Sequence, residues 1–455
     1  MLIKTINPVT GDVINTYQEM SDRDVEDIIE KCANEFLTWS ETSFSHRKQK
    51  ILQLASVLRE RKKPYAELMA QEMGKPISFG EAEIEKSALL CEYYAKVSED
   101  FLKPKIVQTE LTKSYVTYLP LGIVFGIMPW NFPFWQVLRY AIPNLIAGNT
   151  CLLKHAQNTT GSALEIEKLI RDAGFPPNAF RTLVIKSNRT AAVIAHKKIA
   201  AVTITGSKNA GSAVANESGK HLKKVVLELG GSDPYIILED ADLEAAADAC
   251  VKSRLHNSGQ VCIAAKRIIA IDSIYNKLRE LIITKMHEFI VGNPLDMNTE
   301  MGPLAREDLR EEVHKQVELS IKQGAKLLMG GKIPEGKGFY YPPTLLSEVK
   351  PGITAFDEEV FGPIITLIRA ADEKHAIELA NNTEYGLGAA VFTANKERGE
   401  NIAAKKLKAG ICSVNTLIRS DPRLPFGGIK HSGFGRELAF EGLTSFMNIK
   451  TVLIR

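Results

Sequence analysis

The sequence has no CxxC pair, no cluster of closely spaced cysteines and no long apolar run. Its six cysteines, Cys32, Cys91, Cys151, Cys250, Cys262 and Cys412, are scattered along 455 residues. That spacing excludes a disulfide scaffold and a zinc finger, gives no metal-ligand pattern and fits a reducing compartment. The longest apolar stretches, such as Leu119 to Met128, carry glycines and fall short of the roughly 18 residues that a membrane helix needs. The N-terminus, MLIKTINPVTGDVIN, lacks a basic segment followed by an apolar one, so a cytoplasmic protein is expected. An excess of one charge is also missing: 57 Lys and Arg against 54 Asp and Glu leave +3. Neither a phosphate backbone nor an anionic membrane is the expected partner of so balanced a chain. Internal repeats and low-complexity tracts are absent too. What remains is a globular composition, 45% apolar and 24% charged, on a length that suggests two or three domains.

The pattern is α/β. From Ser21, a plausible N-cap by residue type, Val25, Ile28, Ile29, Cys32, Phe36 and Trp39 recur on one helical face. Further helical stretches are predicted around 47–61 and 79–97. From about residue 122, short β-rich runs (GIVFGI, TCLLK, RTLVI, AAVTIT, VVLEL) alternate with helical ones, the rhythm of βαβ units and a largely parallel sheet. A second series follows Pro234, with YIIL, RIIAI, IITLI, GAAVFT and GICSVN as strands. The glycines and proline of LELGGSDP separate the two and put a boundary near 229–232. Leu111 to Leu121 and Ser445 to Arg455 alternate like strands but belong to neither series, which suggests a small separate sheet serving subunit contacts.

Four segments carry residues of chemical interest. Thr205-Gly206-Ser207 follows a strand and opens a helix, where free backbone amides suit a phosphate, although a plain strand-to-helix turn reads the same way. Cys262 lies in the loop Asn257-Ser258-Gly259-Gln260-Val261-Cys262 at a strand end, the placement of a nucleophile; most cysteines are simply small buried hydrophobes, and the other five are assigned to the core. Glu228 ends an apolar strand, where burial favours a general base, but an ion-pair or capping role fits equally. In Pro129-Trp130-Asn131-Phe132-Pro133 two prolines fix the turn, so that the Asn131 amide is held rigidly enough to donate to an oxyanion; a rigid aromatic turn without a catalytic role is the plainer alternative.

Taken together, INPVTG, PWNFP, LLKHA, TGS, LELGG, GQVC, EEVFGP and PFGG, in this order from about residue 6 to the C-terminus, resemble the NAD(P)-dependent aldehyde dehydrogenase superfamily. ELGGSDP, GQVCIAAKR, YYPPTLL and SDPRLPFGG look most like its shorter bacterial succinate-semialdehyde dehydrogenases. The resemblance implies a Rossmann-type cofactor domain (1–108 and 122–228), an α/β catalytic domain (229–430) and a small β oligomerisation element (109–121 and 431–455), in a homodimer or homotetramer. It implies Cys262 as nucleophile, Asn131 and the Cys262 amide as oxyanion donors, and Glu228 as the base that hydrolyses a thioester. It places Trp130, Lys154, Gln157, Gly206, Ser207, Glu359 and Phe361 around the cofactor. Gln157 stands where NAD-preferring relatives often carry a glutamate that repels a 2'-phosphate, so NADP is expected to be accepted beside NAD. Arg139, eight residues after Asn131, is implied to grip a distal substrate carboxylate, with Ser420 and Arg423 completing that site. His256 departs from the pattern, since some succinate-semialdehyde enzymes carry a second arginine there. A broad-specificity enzyme for aliphatic or glutarate semialdehydes, a catalytically silent structural protein and a cofactor-free esterase are the competing readings.

Overall fold

The computed structural model describes residues 2–455. Its helices form where the pattern and the caps agree. Ser21 caps Asp22–Trp39 in a reciprocal capping box with Asp24, and Val25, Ile28, Ile29, Cys32 and Trp39 turn inward. Three further helices, Phe44–Glu60, Lys62–Met73 and Ile77–Phe101, precede the first α/β series.

Two large sheets organise the molecule. In the first the strand order is Gly433–Phe434, Lys224–Glu228, Ile199–Thr205, Ile123–Met128, Thr150–His155, Phe180–Thr182. All neighbours are parallel except the short first strand. In chain order the five parallel strands run 5-4-1-2-3, so the order reverses between Ile123–Met128 and Ile199–Thr205. Ligands of such sheets bind outside the carboxyl ends of the strands at that switch point. Pro129-Trp130-Asn131 and Gly206-Ser207 leave those two strand ends.

The second sheet runs Lys326–Met329, Thr344–Ser347, Ile364–Ala370, Ala265–Ile271, Asp233–Ile237, Gly388–Phe392, Ile411–Val414. It is parallel except at Lys326–Met329. The chain passes from one sheet to the other over Leu229 to Ser232. Met447–Ile454 pairs antiparallel along the whole of Lys113–Pro120, and Lys105–Ile106 makes the third strand of that sheet.

Several elements differ from the sequence expectation. RTLVI keeps only Phe180–Thr182 as strand, because this edge strand pairs with three residues of its neighbour, Cys151 to Leu153. Gly433–Phe434 joins the first sheet rather than the small one. The hairpin Leu2–Ile6 with Val13–Gln18 and the helix Glu307–Lys322 were not foreseen. That helix buries only Val313, Gln316, Val317 and Ser320, too few apolar positions to mark a 3.6-residue period.

Candidate active site

A cavity with about 860 Å³ of empty space lies at the switch point. Its wall includes Trp130, Asn131, Thr205, Gly206, Ser207, Gly230, Cys262, Glu359 and Phe361. The segments singled out separately in the sequence thus meet at one place, drawn from both large sheets.

The nucleophile loop is held from several sides. Asn257 and Ser258 adopt left-handed backbone conformations, with φ of 51° and 56°, which cost a serine about 1–3 kcal/mol and persist only where the surroundings impose them. Here they do. The Asn257 amide donates to the Asn131 carbonyl at 2.9 Å, and the Ser258 hydroxyl to the Gly302 carbonyl at 2.8 Å. Gln260 accepts from the Ala305 amide at 2.9 Å and donates to the Asn257 carbonyl at 3.1 Å. Gly259 has φ of 74°, and a Cβ there would lie 2.1 Å from the Gly362 carbonyl oxygen, so only glycine lets this loop pack against EEVFGP. Arg254, fully buried, ties the same two segments by donating to the Gly259 and Val360 carbonyls at 3.2 and 2.6 Å. Sequence reading missed Asn257, Ser258, Gln260 and Arg254 as positioning residues; their one signal was the density of polar residues beside Cys262.

Cys262 lines the cavity and is partly exposed. Burial of the thiol pushes it up to about 11, against the opposing pull of Lys266 and Arg139. Asn131 is buried; its side-chain amide donates to the Gln260 carbonyl at 2.9 Å, which leaves one of its two N–H groups for an oxyanion beside Cys262.

Glu228 sits differently from the expectation. It is not part of the described cavity wall. Its carboxyl is buried next to Glu437, both its oxygens lack hydrogen-bond partners, and burial first and Glu437 second push it well above the usual carboxylate range. Gly427 of PFGG allows this position, since a Cβ there would lie 2.7 Å from Glu228 Oε1.

The residues expected at the cofactor divide into two groups. Trp130 and Phe361 meet edge to face at 5.9 Å across the cavity. The Glu359 carboxylate accepts from the Gly231 amide at 3.0 Å and pairs with Lys266 at 3.3 Å. Ser207, which lines the cavity with Gly206, caps the helix Lys208–Lys220. Lys154 and Gln157 lie outside the described wall, at and just after the end of Thr150–His155. The Lys154 ammonium donates to the Ser187 hydroxyl at 3.0 Å, and burial lowers it to about 8. The helix N-terminus, the aromatic pair and a nearby lysine without a carboxylate within ion-pair distance among the described residues fit a phosphate-bearing dinucleotide. Gln316 and Glu312, from the unforeseen helix, also line the cavity.

All three residues expected at a substrate carboxylate have partners within the chain. Arg139 is buried in an ion pair with Glu437, its guanidinium 4.7 Å from the Phe426 ring. The Arg423 side chain is 76% exposed and held by Asp421 through two hydrogen bonds of 2.8 and 2.7 Å. A turn two residues long satisfies it locally. Ser420 is engaged differently, accepting a hydrogen bond from Lys86 at 2.7 Å.

The chain is similar to known proteins along nearly its whole length. The model of the aldehyde dehydrogenase family matches residues 1–452. A succinate semialdehyde dehydrogenase [NAD(P)+] of Escherichia coli strain K12 is 44% identical over 448 residues, 98% of this chain and 97% of its own. A succinate-semialdehyde dehydrogenase [NADP(+)] of Deinococcus radiodurans is 39% identical over 98% of this chain and 94% of its own. The crystal structure of the succinic semialdehyde dehydrogenase of Streptococcus pyogenes, in complex with NADP+, superposes with a TM-score of 0.97 at 36% identity, over 99% of both chains. The chain belongs to the aldehyde dehydrogenase family and is an NAD(P)-dependent oxidoreductase of that family's fold.

Proposed function

We propose that the protein oxidises succinate semialdehyde to succinate with NADP+ or NAD+. The observation that carries this reading is the convergence of Cys262, Asn131, Gly206, Ser207, Glu359 and Phe361 on one cavity at the sheet's switch point; the names of the full-length relatives support the substrate.

Cys262 Sγ first gives its proton to solvent, to which it is partly exposed; the thiolate then bonds to the aldehyde carbon, and the carbonyl electron pair moves to oxygen, where the free Asn131 N–H and the Cys262 amide receive it. A nicotinamide held between Trp130, Glu359 and Phe361 would supply the acceptor for the hydride whose departure from that carbon leaves a thioester on Cys262. Glu228 then takes a proton from the water that adds to the thioester carbon, and loss of the thiolate releases the acid. Because both Glu228 oxygens lack hydrogen bonds, turning the side chain toward the cavity breaks none. Its elevated proton affinity makes it a stronger base than an exposed carboxylate once ionised. Lys154 and Gln157 are assigned to the adenosine ribose, where a neutral Gln157 beside a cation tolerates a 2'-phosphate.

In the same reading, residues 1–108 and 122–228 hold the cofactor, 229–430 carry catalysis, and 109–121 with 431–455 join subunits in a homodimer or homotetramer. Among the described residues no helix is long and apolar enough to cross a membrane; a cytoplasmic site of action belongs to the same proposal.

Initial rates of cofactor reduction test the assignment, with succinate semialdehyde, glutarate semialdehyde and butanal, each with NADP+ and with NAD+. The expected result is a strong preference for succinate semialdehyde and no reduction by Cys262→Ala. Equal or faster turnover of butanal removes the substrate assignment and leaves the dehydrogenase chemistry standing.

A further inference from the structure

Lys266 is a buried cation to which the mechanism above gives no task. It stands four residues after Cys262, on the strand Ala265–Ile271, with its side chain 3% exposed. An ammonium withdrawn from water needs an acceptor for each of its three N–H groups. Lys266 has them, and all three belong to the active site. Two are the carbonyls of Val261 at 3.0 Å and of Cys262 itself at 2.6 Å. The third is the Glu359 carboxylate at 3.3 Å, and the Phe361 ring lies 5.9 Å away.

The contacts of Glu359 extend this link to the segment that carries Glu228. The oxygen that pairs with Lys266 also accepts from the Gly231 amide at 3.0 Å. The other oxygen sits so close to Gly230 that a Cβ there would lie 1.9 Å from it, and a Cβ on Gly231 would lie 3.1 Å from the Cys262 carbonyl oxygen. LELGG, GQVC and EEVFGP therefore close on one another around a single ammonium.

Two effects on Cys262 follow. The Val261 carbonyl and the Cys262 N–H belong to one planar trans peptide. Holding that oxygen on Lys266, with help from the Ala264 amide at 3.2 Å, aims the Cys262 N–H the opposite way, and the direction of an oxyanion donor decides its worth. The second effect is charge. Lys266 and Arg139 favour the thiolate of Cys262, whereas burial, Asp233 and Glu359 oppose it.

We propose that Lys266 is a positioning residue of the reaction: it aims the Cys262 amide at the oxyanion, sets a positive charge beside the thiolate, and ties both to the cofactor side of the cavity through Glu359. This rests on the reading of Cys262 as nucleophile given above.

The test compares wild type with Lys266→Met, Lys266→Arg and Glu359→Gln, each checked for folding by a thermal melt. Alkylation of Cys262 by iodoacetamide is followed by mass spectrometry at one alkaline pH in the cofactor-free protein, and kcat and KM are measured with succinate semialdehyde and NADP+. Loss of an opposite charge within about 4–6 Å raises a group by a unit or more. Lys266→Met is therefore expected to alkylate roughly tenfold more slowly, and to lower kcat rather than raise the KM for the aldehyde. Lys266→Arg, which keeps the charge, should recover most of both. Glu359→Gln removes the opposing charge at nearly constant size and should alkylate faster than wild type. A lysine that only braced the loop gives no such opposition of sign, because loosening the loop exposes the thiol in both variants and accelerates both. Changes in the same direction in Lys266→Met and Glu359→Gln, or an unchanged rate in Lys266→Met, overturn the proposal. Should Lys266→Met fail to fold, Glu359→Gln decides, and alkylation no faster than wild type overturns it. Undiminished cofactor reduction by Cys262→Ala overturns the nucleophile reading and this proposal together.

Discussion

At the scale of single residues, the environment of Cys262 sets when its thiol reacts. Burial outweighs Lys266 and Arg139 and holds the thiol near 11, so the thiolate fraction rises about tenfold per pH unit below that value. Alkylation of Cys262 by iodoacetamide, followed by mass spectrometry in the cofactor-free protein, should accelerate nearly tenfold per unit from about pH 7 to about pH 10. A plateau near pH 8 would contradict this. That Cys262 and Asn131 share one cavity wall was legible in the sequence, because each sits in a short motif whose prolines or glycines fix the backbone around it. Charged partners were less legible. Arg139 and Glu437 are distant in sequence, and their ion pair exists only once the C-terminal segment folds over the helix Trp135–Ala147.

At the scale of elements, buried carboxylates join helices that the periodic pattern shows only one at a time. Glu72, at the end of Lys62–Met73, accepts hydrogen bonds from the Gly161 amide at 2.7 Å and the Ser162 amide at 3.0 Å. It thereby caps Thr160–Asp172 from outside that helix. Glu72→Leu leaves two amides unpaired, at about 1–3 kcal/mol each, and should lower the thermal midpoint well below that of Glu72→Gln, which keeps an acceptor. Burial, opposed by the Ser162 and Gly161 bonds, raises Glu72 from 4.5 to about 7. The folded state therefore holds a proton that the unfolded chain gives up. Its contribution is full below about pH 4.5 and falls as pH rises toward about 7. Denaturant melts across that window should show this slope in wild type and lack it in Glu72→Gln. The strand–helix alternation was readable because apolar runs of central strands are continuous. The helix Glu307–Lys322 and the edge strand Phe180–Thr182 were hidden or misjudged, since a mostly polar helix and a marginally paired edge carry weak periodic signals.

At the scale of the whole molecule, the small sheet leaves apolar side chains uncovered. Ile449, Leu453 and Ile454 on Met447–Ile454 and Ile106 on its companion strand are exposed, an uneconomical surface for an isolated chain. In the proposed homo-oligomer these faces are covered. The double variant Ile449→Asp with Leu453→Asp should shift the mass measured by light scattering toward the monomer; an unchanged mass would place the subunit contact elsewhere. The same C-terminal region also reaches back inside. Gly433 pairs with Glu228 itself, Phe426 bridges to Glu437, and Glu437 supplies the charge beside the base. The consequence concerns time rather than space. During synthesis Cys262, Asn131 and the helix start at Ser207 emerge from the ribosome long before residues 426–437, so a nascent chain presents Cys262 while Glu228 still lacks its final neighbours. In the proposed mechanism, hydrolytic competence is a property that only the nearly finished polypeptide acquires.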